Sequence, residues 1–250
     1  MSTPAVVPDA QPGLSEGARL INTFVAPSKT FTDIRRNASW WVPWLVLSLV
    51  SLAFAFTVGK RVGYDQVVQN TFKMVPSQME KIDKLPPEQK ANAMRLQAIS
   101  RKVISYAAPV TTLLLLVIVA AILMGTFNFG AGAEVTFKQS MAIVAFASLP
   151  NVLKELFAIG VMFLPSFDPE NFILQNPVAT NPGFLIDPAG HMTAYALLSS
   201  LDVIGIWSLV LIAIGFSCVT KVKRSTAFAI MAGWWVFLVA FGVGMAAIFS

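Results

Sequence analysis

Cysteine and histidine are nearly absent from this 250-residue sequence, which contains one of each, Cys218 and His191. A single cysteine cannot form an intrachain disulfide, and one cysteine with one histidine is too few for a His/Cys metal site within one chain. The sequence also lacks a His-Glu-x-x-His motif, a nucleophile-base pair and paired aspartates at catalytic spacing. We therefore expect no cofactor, no metal and no enzymatic activity.

Charged residues are also scarce. Asp, Glu, Lys and Arg make up 12% of the chain and hydrophobic residues 56%, whereas roughly a quarter of a soluble domain is charged. These proportions indicate a membrane protein. The net charge of +5 could suggest nucleic acid, but the basic residues lie beside apolar runs and form no aromatic-basic binding face. We expect a lipid bilayer with anionic headgroups as a partner, and no nucleic acid.

Apolar runs of membrane length are what the sequence has in abundance. The clearest pair covers residues 191–220 and 225–250, which are joined by a short basic turn. The sequence predicts an all-α fold, a polytopic membrane helix bundle with five transmembrane helices. The predicted spans cover about residues 40–59, 105–128, 140–164, 193–219 and 226–249.

The remaining segments differ in character. Residues 1–15 predict a disordered tail, and residues 16–250 a single membrane domain. Residues 20–34, broken at Pro27, carry apolar side chains at helical spacing. They predict either an interfacial amphipathic segment or a helix packed on the rest of the protein. Residues 60–102 predict a helical extramembrane hairpin between the first two spans.

Basic residues near the membrane predict the orientation. With a cytoplasmic N-terminus, eight basic residues fall inside and nine outside, so the total does not decide. The short loops do, because the turn at 221–224 has three positive charges, whereas the proline-rich loop at 165–192, predicted to be irregular and external, has none. We expect the N-terminus in the cytoplasm and the C-terminus outside. The residues that determine this topology are Arg35, Arg36, Lys221, Lys223 and Arg224.

Three charged residues lie inside the predicted spans, Lys154 and Glu155 in the third and Asp202 in the fourth. With a rise of about 1.5 Å per residue, all three reach nearly the same depth. Since an isolated charge there costs about 3 kcal/mol, we expect Asp202 to pair with Lys154. Glu155 is expected to be protonated or turned toward water. Pro150 should kink the third span and leave the carbonyl of Phe146 in need of another partner.

Several short motifs, taken in order, resemble a known family. They are Val-Ala-Pro-Ser-Lys-Thr-Phe at 25–31, Trp-Trp-x-x-Trp at 40–44, Val-Thr-Phe-Lys-Gln-Ser at 135–140, Ser-Leu-Pro at 148–150, Leu-Asp at 201–202, and Trp-Ser-Leu at 207–209 before the basic turn. Together they resemble bacterial members of the Ypt-interacting-protein (Yip) domain family. The resemblance implies five spans, a cytoplasmic N-terminus and location in the bacterial cytoplasmic membrane.

For the eukaryotic branch, the resemblance implies binding of Rab-type GTPases and a part in vesicle traffic or membrane shaping. This sequence departs from that branch, because Asn-Ala-Ser-Trp-Trp-Val-Pro at 37–43 stands where an Asp-Leu-Tyr-Gly-Pro signature precedes the first span. The architecture and a general membrane role are what the resemblance carries over.

Two functions follow from these observations. The first is a non-enzymatic membrane protein that organises lipid or protein partners, with the intramembrane polar cluster of Lys154, Glu155 and Asp202 holding the helices together. The alternative is a small transporter or channel, in which the same three residues line an ion or proton pathway. Protein partners or a homo-oligomer fit these hypotheses.

Overall fold

The structure is a computed structural model that describes residues 13–249, within which all regular secondary structure is helical. The predicted tail at 1–15 lies outside the described residues except for its last three, and the first helix begins at Glu16 as the sequence indicates. The α-helices of the described range are α1 (Glu16–Val25), α2 (Pro27–Ile34), α3 (Trp41–Arg61), α4 (Tyr64–Met74), α5 (Pro76–Asp83), α6 (Pro87–Tyr106), α7 (Ala108–Ala131), α8 (Phe137–Ala147), α9 (Pro150–Val161), α10 (Met192–Ser199), α11 (Val203–Val219) and α12 (Arg224–Phe249).

Within the described residues 13–249, four helical stretches are long and apolar enough to cross a membrane. They are α3, α7, the α8–α9 stretch Phe137–Val161, and Arg224–Ile248 of α12. A fifth candidate is the pair α10 and α11, which meet at an angle of 45°. The predicted all-helical polytopic bundle is confirmed. The run predicted as one continuous span at 193–219 differs, because it is broken between Ser199 and Val203.

The kink predicted at Pro150 is present as a break between α8 and α9. Helix α8 ends at Ala147 and Pro150 is the first residue of α9. Proline has no N–H to donate to the carbonyl four residues before it. Here the N–H of Leu149 donates to the carbonyl of Phe146 at 3.1 Å, so the freed acceptor is satisfied within the bend.

The core of the bundle is built around α8, whose residues from Ser140 onward are all buried. Helices α2, α3, α7 and α11 contribute to the same core, where the rings of Phe127 and Phe216 stack with centroids 4.0 Å apart. Gly215 allows close approach, because a Cβ there would lie 2.5 Å from Cγ2 of Ile143. Helices α8 and α11 therefore pack at a distance that a larger side chain would increase.

The N-terminal helices follow the second of their two predicted alternatives, in that α2 packs into the bundle. Phe31 and Ile34 of α2 are fully buried in the core. Arg19 of α1 is also buried, and its Nη2 lies 2.6 Å from Oδ2 of Asp33. This second buried ion pair was not anticipated from the sequence. Helix α1 keeps an exposed apolar side that includes Ile21.

Helices α4 to α6 cover the segment predicted to be an extramembrane hairpin, and they contribute to a small second core. Tyr64 and Phe72 of α4 pack there with Ala98 of α6 and with Phe172 from the proline-rich loop. That loop contains two 3₁₀ turns, Pro169–Asn171 and Pro182–Leu185. The loop has no longer helix, as expected for a segment predicted to be irregular. It packs against the bundle and the hairpin.

Candidate functional site

Asp202 caps α11, the second helix of the bent pair α10 and α11. Its backbone is extended, with φ −72° and ψ 119°, and its Oδ1 accepts a hydrogen bond from the N–H of Gly205 at 2.9 Å. An aspartate at this position satisfies one of the free N–H groups at a helix start, and its negative charge suits the positive end of the helix dipole. The apolar run predicted as one span is therefore interrupted at Asp202, a residue type that favours the start of a helix.

The second carboxylate oxygen of Asp202 joins three segments of the chain. Nζ of Lys154, on α9, lies 2.6 Å from Oδ2, and the hydroxyl of Thr180 donates to the same oxygen at 2.7 Å. The side-chain amide of Asn181 lies 3.4 Å from it. The N–H of Val203 donates to the carbonyl of Thr180 at 3.1 Å, which ties the loop to the helix break by backbone as well.

The loop at this point is itself ordered by buried amides. Asn176 and Asn181 donate to each other through their side chains, at 3.2 and 2.8 Å, and both are buried. On the other side of the break, the indole N–H of Trp235, on α12, donates to the carbonyl of Ser200 at 3.3 Å. The bend between α10 and α11 is therefore held by α9, α12 and the loop together.

Glu155 is separate from this ion pair. Its two carboxylate oxygens each lie 2.9 Å from the hydroxyl of Ser51, on α3, which donates its single proton. Adjacent residues on a helix point about 100° apart, so Lys154 and Glu155 contact different neighbours. The structure thus brings together Lys154 and Asp202 and gives Glu155 a protein partner, where the sequence suggested protonation or water.

The ion pair lies largely out of contact with solvent. The side chains of Lys154 and Asp202 are 21% and 13% exposed, so both charges are largely removed from solvent and each depends on the other. Among residues 13–249, no three His, Cys, Asp or Glu side chains are grouped to hold a metal ion. Ser51, Thr180 and Asn181 were missed from the sequence, because a hydroxyl or amide has no distinguishing pattern until its neighbours are known.

The five topology residues are all exposed. Nη2 of Arg224 donates to the hydroxyl of Ser28 at 3.1 Å, which connects the basic turn to the start of α2. The remaining four are Arg35 and Arg36 beyond α2, and Lys221 and Lys223 in the basic turn.

A polar cavity that the sequence did not indicate lies where the hairpin meets the end of the first span, α3. Its volume is about 670 Å³. Three basic side chains line it, Lys60 at the end of α3 and Arg95 and Lys102 on α6, together with Asp65 and Tyr106. More than thirty residues separate Lys60 from Arg95 along the chain. Only the folded hairpin brings them to one place.

Comparison with known proteins gives one match. The sequence model described as the Yip1 domain matches residues 21–246. The chain belongs to the Yip1 domain family. No curated protein and no solved structure matches it. The Yip1 domain begins within α1 and ends within α12, so it includes the ion pair, Glu155 and the cavity. The resemblance noted in the sequence is confirmed at the level of the family, and the chain is an integral membrane protein of the Yip1 domain type.

Proposed function

We propose that this Yip1 domain protein is a non-enzymatic membrane protein that organises lipid or protein partners. The observation that carries the proposal is the state of Asp202, whose two oxygens are engaged by Gly205 on one side and by Lys154 and Thr180 on the other. A carboxylate that relays protons must exchange its partners, whereas one that is fixed in a helix cap and an ion pair holds structure. The ion pair between Lys154 and Asp202 therefore stabilises the helix bundle that carries the exposed surfaces.

The extramembrane hairpin supplies such a surface. Helix α6 exposes Leu96, Ile99 and Val103, at 64%, 47% and 61%, and these positions recur at spacings of three and four. The basic residues Arg95 and Lys102 lie among them on the same helix. A helix with exposed apolar and basic side chains is suited to contact with a membrane surface or a partner helix.

We further propose that the protein lies in the bacterial cytoplasmic membrane with five spans, residues 16–250 forming one domain and the N-terminus in the cytoplasm. Contacts at the two ends of α3 support the five alternating spans. Before α3, Arg224 contacts Ser28, which brings the basic turn next to the N-terminal helices. Beyond α3, the side-chain amide of Asn70 donates to the carbonyls of Pro169 and Phe172, at 2.8 and 2.9 Å. Five alternating spans would put each of these pairs on one side of the membrane.

Site-specific photo-crosslinking tests the organising role. We expect a benzophenone amino acid in place of Leu96 to give discrete adducts with lipid or with protein in native membranes, since this side chain is exposed on α6. The same probe in place of Tyr195, which is buried, serves as the control. Adduct yields that do not exceed this control would contradict the proposal.

A flux assay separates this function from the transporter alternative. The purified chain is reconstituted into vesicles that contain a pH-sensitive dye, and an ion or proton gradient is imposed. We expect no flux above that of protein-free vesicles. A flux in the original protein that is abolished in a folded Asp202→Asn variant would establish the transporter instead.

Cysteine labelling tests the orientation. Cys218 is replaced by alanine and a single cysteine is introduced by Lys84→Cys, at the exposed end of α5. We expect a membrane-impermeant maleimide to label intact cells from outside. Labelling only from the cytoplasmic side would reverse the proposed topology.

A further inference from the structure

The cavity at the base of the hairpin has an excess of positive charge. Lys60, Arg95 and Lys102 line it, against one carboxylate, Asp65. The ion pairs among residues 13–249 involve other cations, so none of these three has a carboxylate oxygen within 4.0 Å. Tyr64 also lines the cavity and adds no negative charge, because a tyrosine is neutral at physiological pH and burial raises its pKa further.

The arrangement of α6 directs these groups into one place. Arg95, Lys102 and Tyr106 are separated by seven and four residues, so they lie on one face of the helix. Ile99 lies between them on the same face and also lines the cavity. Lys60 approaches from the last turn of α3. Gly59 lets the ring of Tyr64 pack closely against the end of α3, because a Cβ there would lie 3.3 Å from that ring.

The depth of the cavity follows from the ends of α3 and α6, whose residues line it. Helix α3 ends at Arg61 and α7 begins at Ala108, so Lys60 and Tyr106 lie where the chain leaves the apolar layer. Lipid phosphates lie at this depth in a bilayer. A volume of about 670 Å³ falls within the range of roughly 300–1,000 Å³ that small-ligand sites have.

From these observations we propose that Lys60, Arg95 and Lys102 form a binding site for the phosphate headgroup of an anionic glycerophospholipid. The cations and the hydroxyl of Tyr106 bind the phosphate oxygens, since ammonium and guanidinium groups make strong charge-assisted hydrogen bonds to phosphate. The acyl chains extend from the phosphate into the apolar layer, on the side of Tyr106 where α7 begins. This inference deepens the proposed function by naming a lipid partner and its site, and it rests on that function.

The test uses the full chain in uncharged detergent micelles and native mass spectrometry to count bound lipid. The probes are dihexanoylphosphatidylglycerol, dihexanoylphosphatidylcholine and inorganic phosphate. We expect the phosphatidylglycerol to bind more tightly than the other two. Equal binding of phosphatidylcholine would overturn the charge-based site, and displacement of the lipid by an equal concentration of inorganic phosphate would overturn the assignment to a lipid.

Two sets of variants with the same change in net charge locate the site. The triple variant Lys60→Gln, Arg95→Gln and Lys102→Gln is expected to weaken binding by about a hundredfold, at about fivefold for each cation near a membrane surface. The matched control replaces three exposed lysines of the hairpin with glutamine, and none of them lines the cavity. They are Lys73, Lys81 and Lys84. This control is expected to bind the lipid as the original protein does. Equal losses of lipid affinity in both sets would show a general attraction between the positive charge of the protein and the anionic lipid, and would overturn the site.

A third variant keeps every charge and removes the space. Ile99→Trp places a larger side chain against the cavity at a position that is 47% exposed, so the fold tolerates it. We expect this variant to lose its preference for phosphatidylglycerol while it elutes as the original protein does in gel filtration. An unchanged preference would overturn the cavity as the site. Crosslinking at Leu96 to protein partners needs none of these cations, so the proposed function can survive the failure of this inference.

Discussion

The ion pair between Lys154 and Asp202 allows a quantitative test of its structural role. Replacing Lys154 with methionine removes the cation but keeps the length of the side chain. Asp202 then retains only the donors of Thr180, Asn181 and Gly205. Removing one partner of a buried pair costs about 3–5 kcal/mol. Because these three donors remain, we expect a loss in the free energy of unfolding at the lower end of that range, about 3 kcal/mol.

The reciprocal change, Asp202→Asn, keeps an oxygen that can cap α11 but removes the negative charge. Lys154 is then left without its carboxylate partner, and we expect a loss of about 3 kcal/mol. Asp202→Ala also removes the cap, which adds about 1 kcal/mol. The Asp202→Asn variant should therefore be more stable than the Asp202→Ala variant.

The double variant Lys154→Met with Asp202→Asn decides the interpretation. Neither an unpaired cation nor an unpaired anion remains, so the loss should be smaller than the sum of the two single losses by about 2 kcal/mol. The assay is reversible unfolding in mixed detergent micelles, followed by circular dichroism. Additivity to within about 0.5 kcal/mol would refute the pairing as a source of stability.

Three further variants test other contacts. Ser51→Ala removes the hydroxyl that donates to Glu155 and should lower the free energy of unfolding by about 1–3 kcal/mol. Gly215→Ala introduces a Cβ into the closely packed core and should cost about 1–3 kcal/mol, whereas Gly244→Ala, where a Cβ meets nothing within 4 Å, should cost little. Asn70→Ala removes two hydrogen bonds between the hairpin and the proline-rich loop and should speed amide hydrogen exchange in that loop.

Each of these variants has an outcome that would contradict its reasoning. Stability unchanged in Ser51→Ala would mean that Glu155 needs no partner. Equal effects of the two glycine variants would mean that α11 has room at the core. The control for Asn70→Ala is Gln69→Ala, which alters a neighbouring exposed side chain. If amide hydrogen exchange in the loop is equally slow in both variants, the loop is held by other contacts.

Much of the fold could be predicted from the sequence, because hydropathy reports directly on membrane-length helices. The helical hairpin at 60–102 followed from Pro87 at a helix start and from the apolar stripe on α6. The depth of Lys154 relative to Asp202 followed from helix rise alone, and the structure has their side chains in contact. These features depend only on distance along a helix axis, which can be calculated from residue numbers and the rise per residue.

Features that depend on rotation or on the path of a loop could not be predicted. Hydropathy gave one continuous run through Asp202, but the carboxylate competes for backbone N–H groups and begins a new helix at Val203. The partner of Glu155 depends on which side of α9 faces α3, and the contact of Thr180 depends on where the loop folds back. The basic cavity likewise needed the angle between α3 and α6.

The ion pair also bears on how the protein is made. Lys154 precedes Asp202 by 48 residues, so a ribosome delivers the ammonium group to the insertion machinery well before its carboxylate exists. Until Asp202 is synthesised, Lys154 on α9 lacks the carboxylate that it pairs with in the folded protein, and an unpaired charge in the apolar layer is costly. Release of the third segment from the translocation channel should therefore wait for the fourth, and a nascent chain truncated before residue 202 should remain bound to the channel.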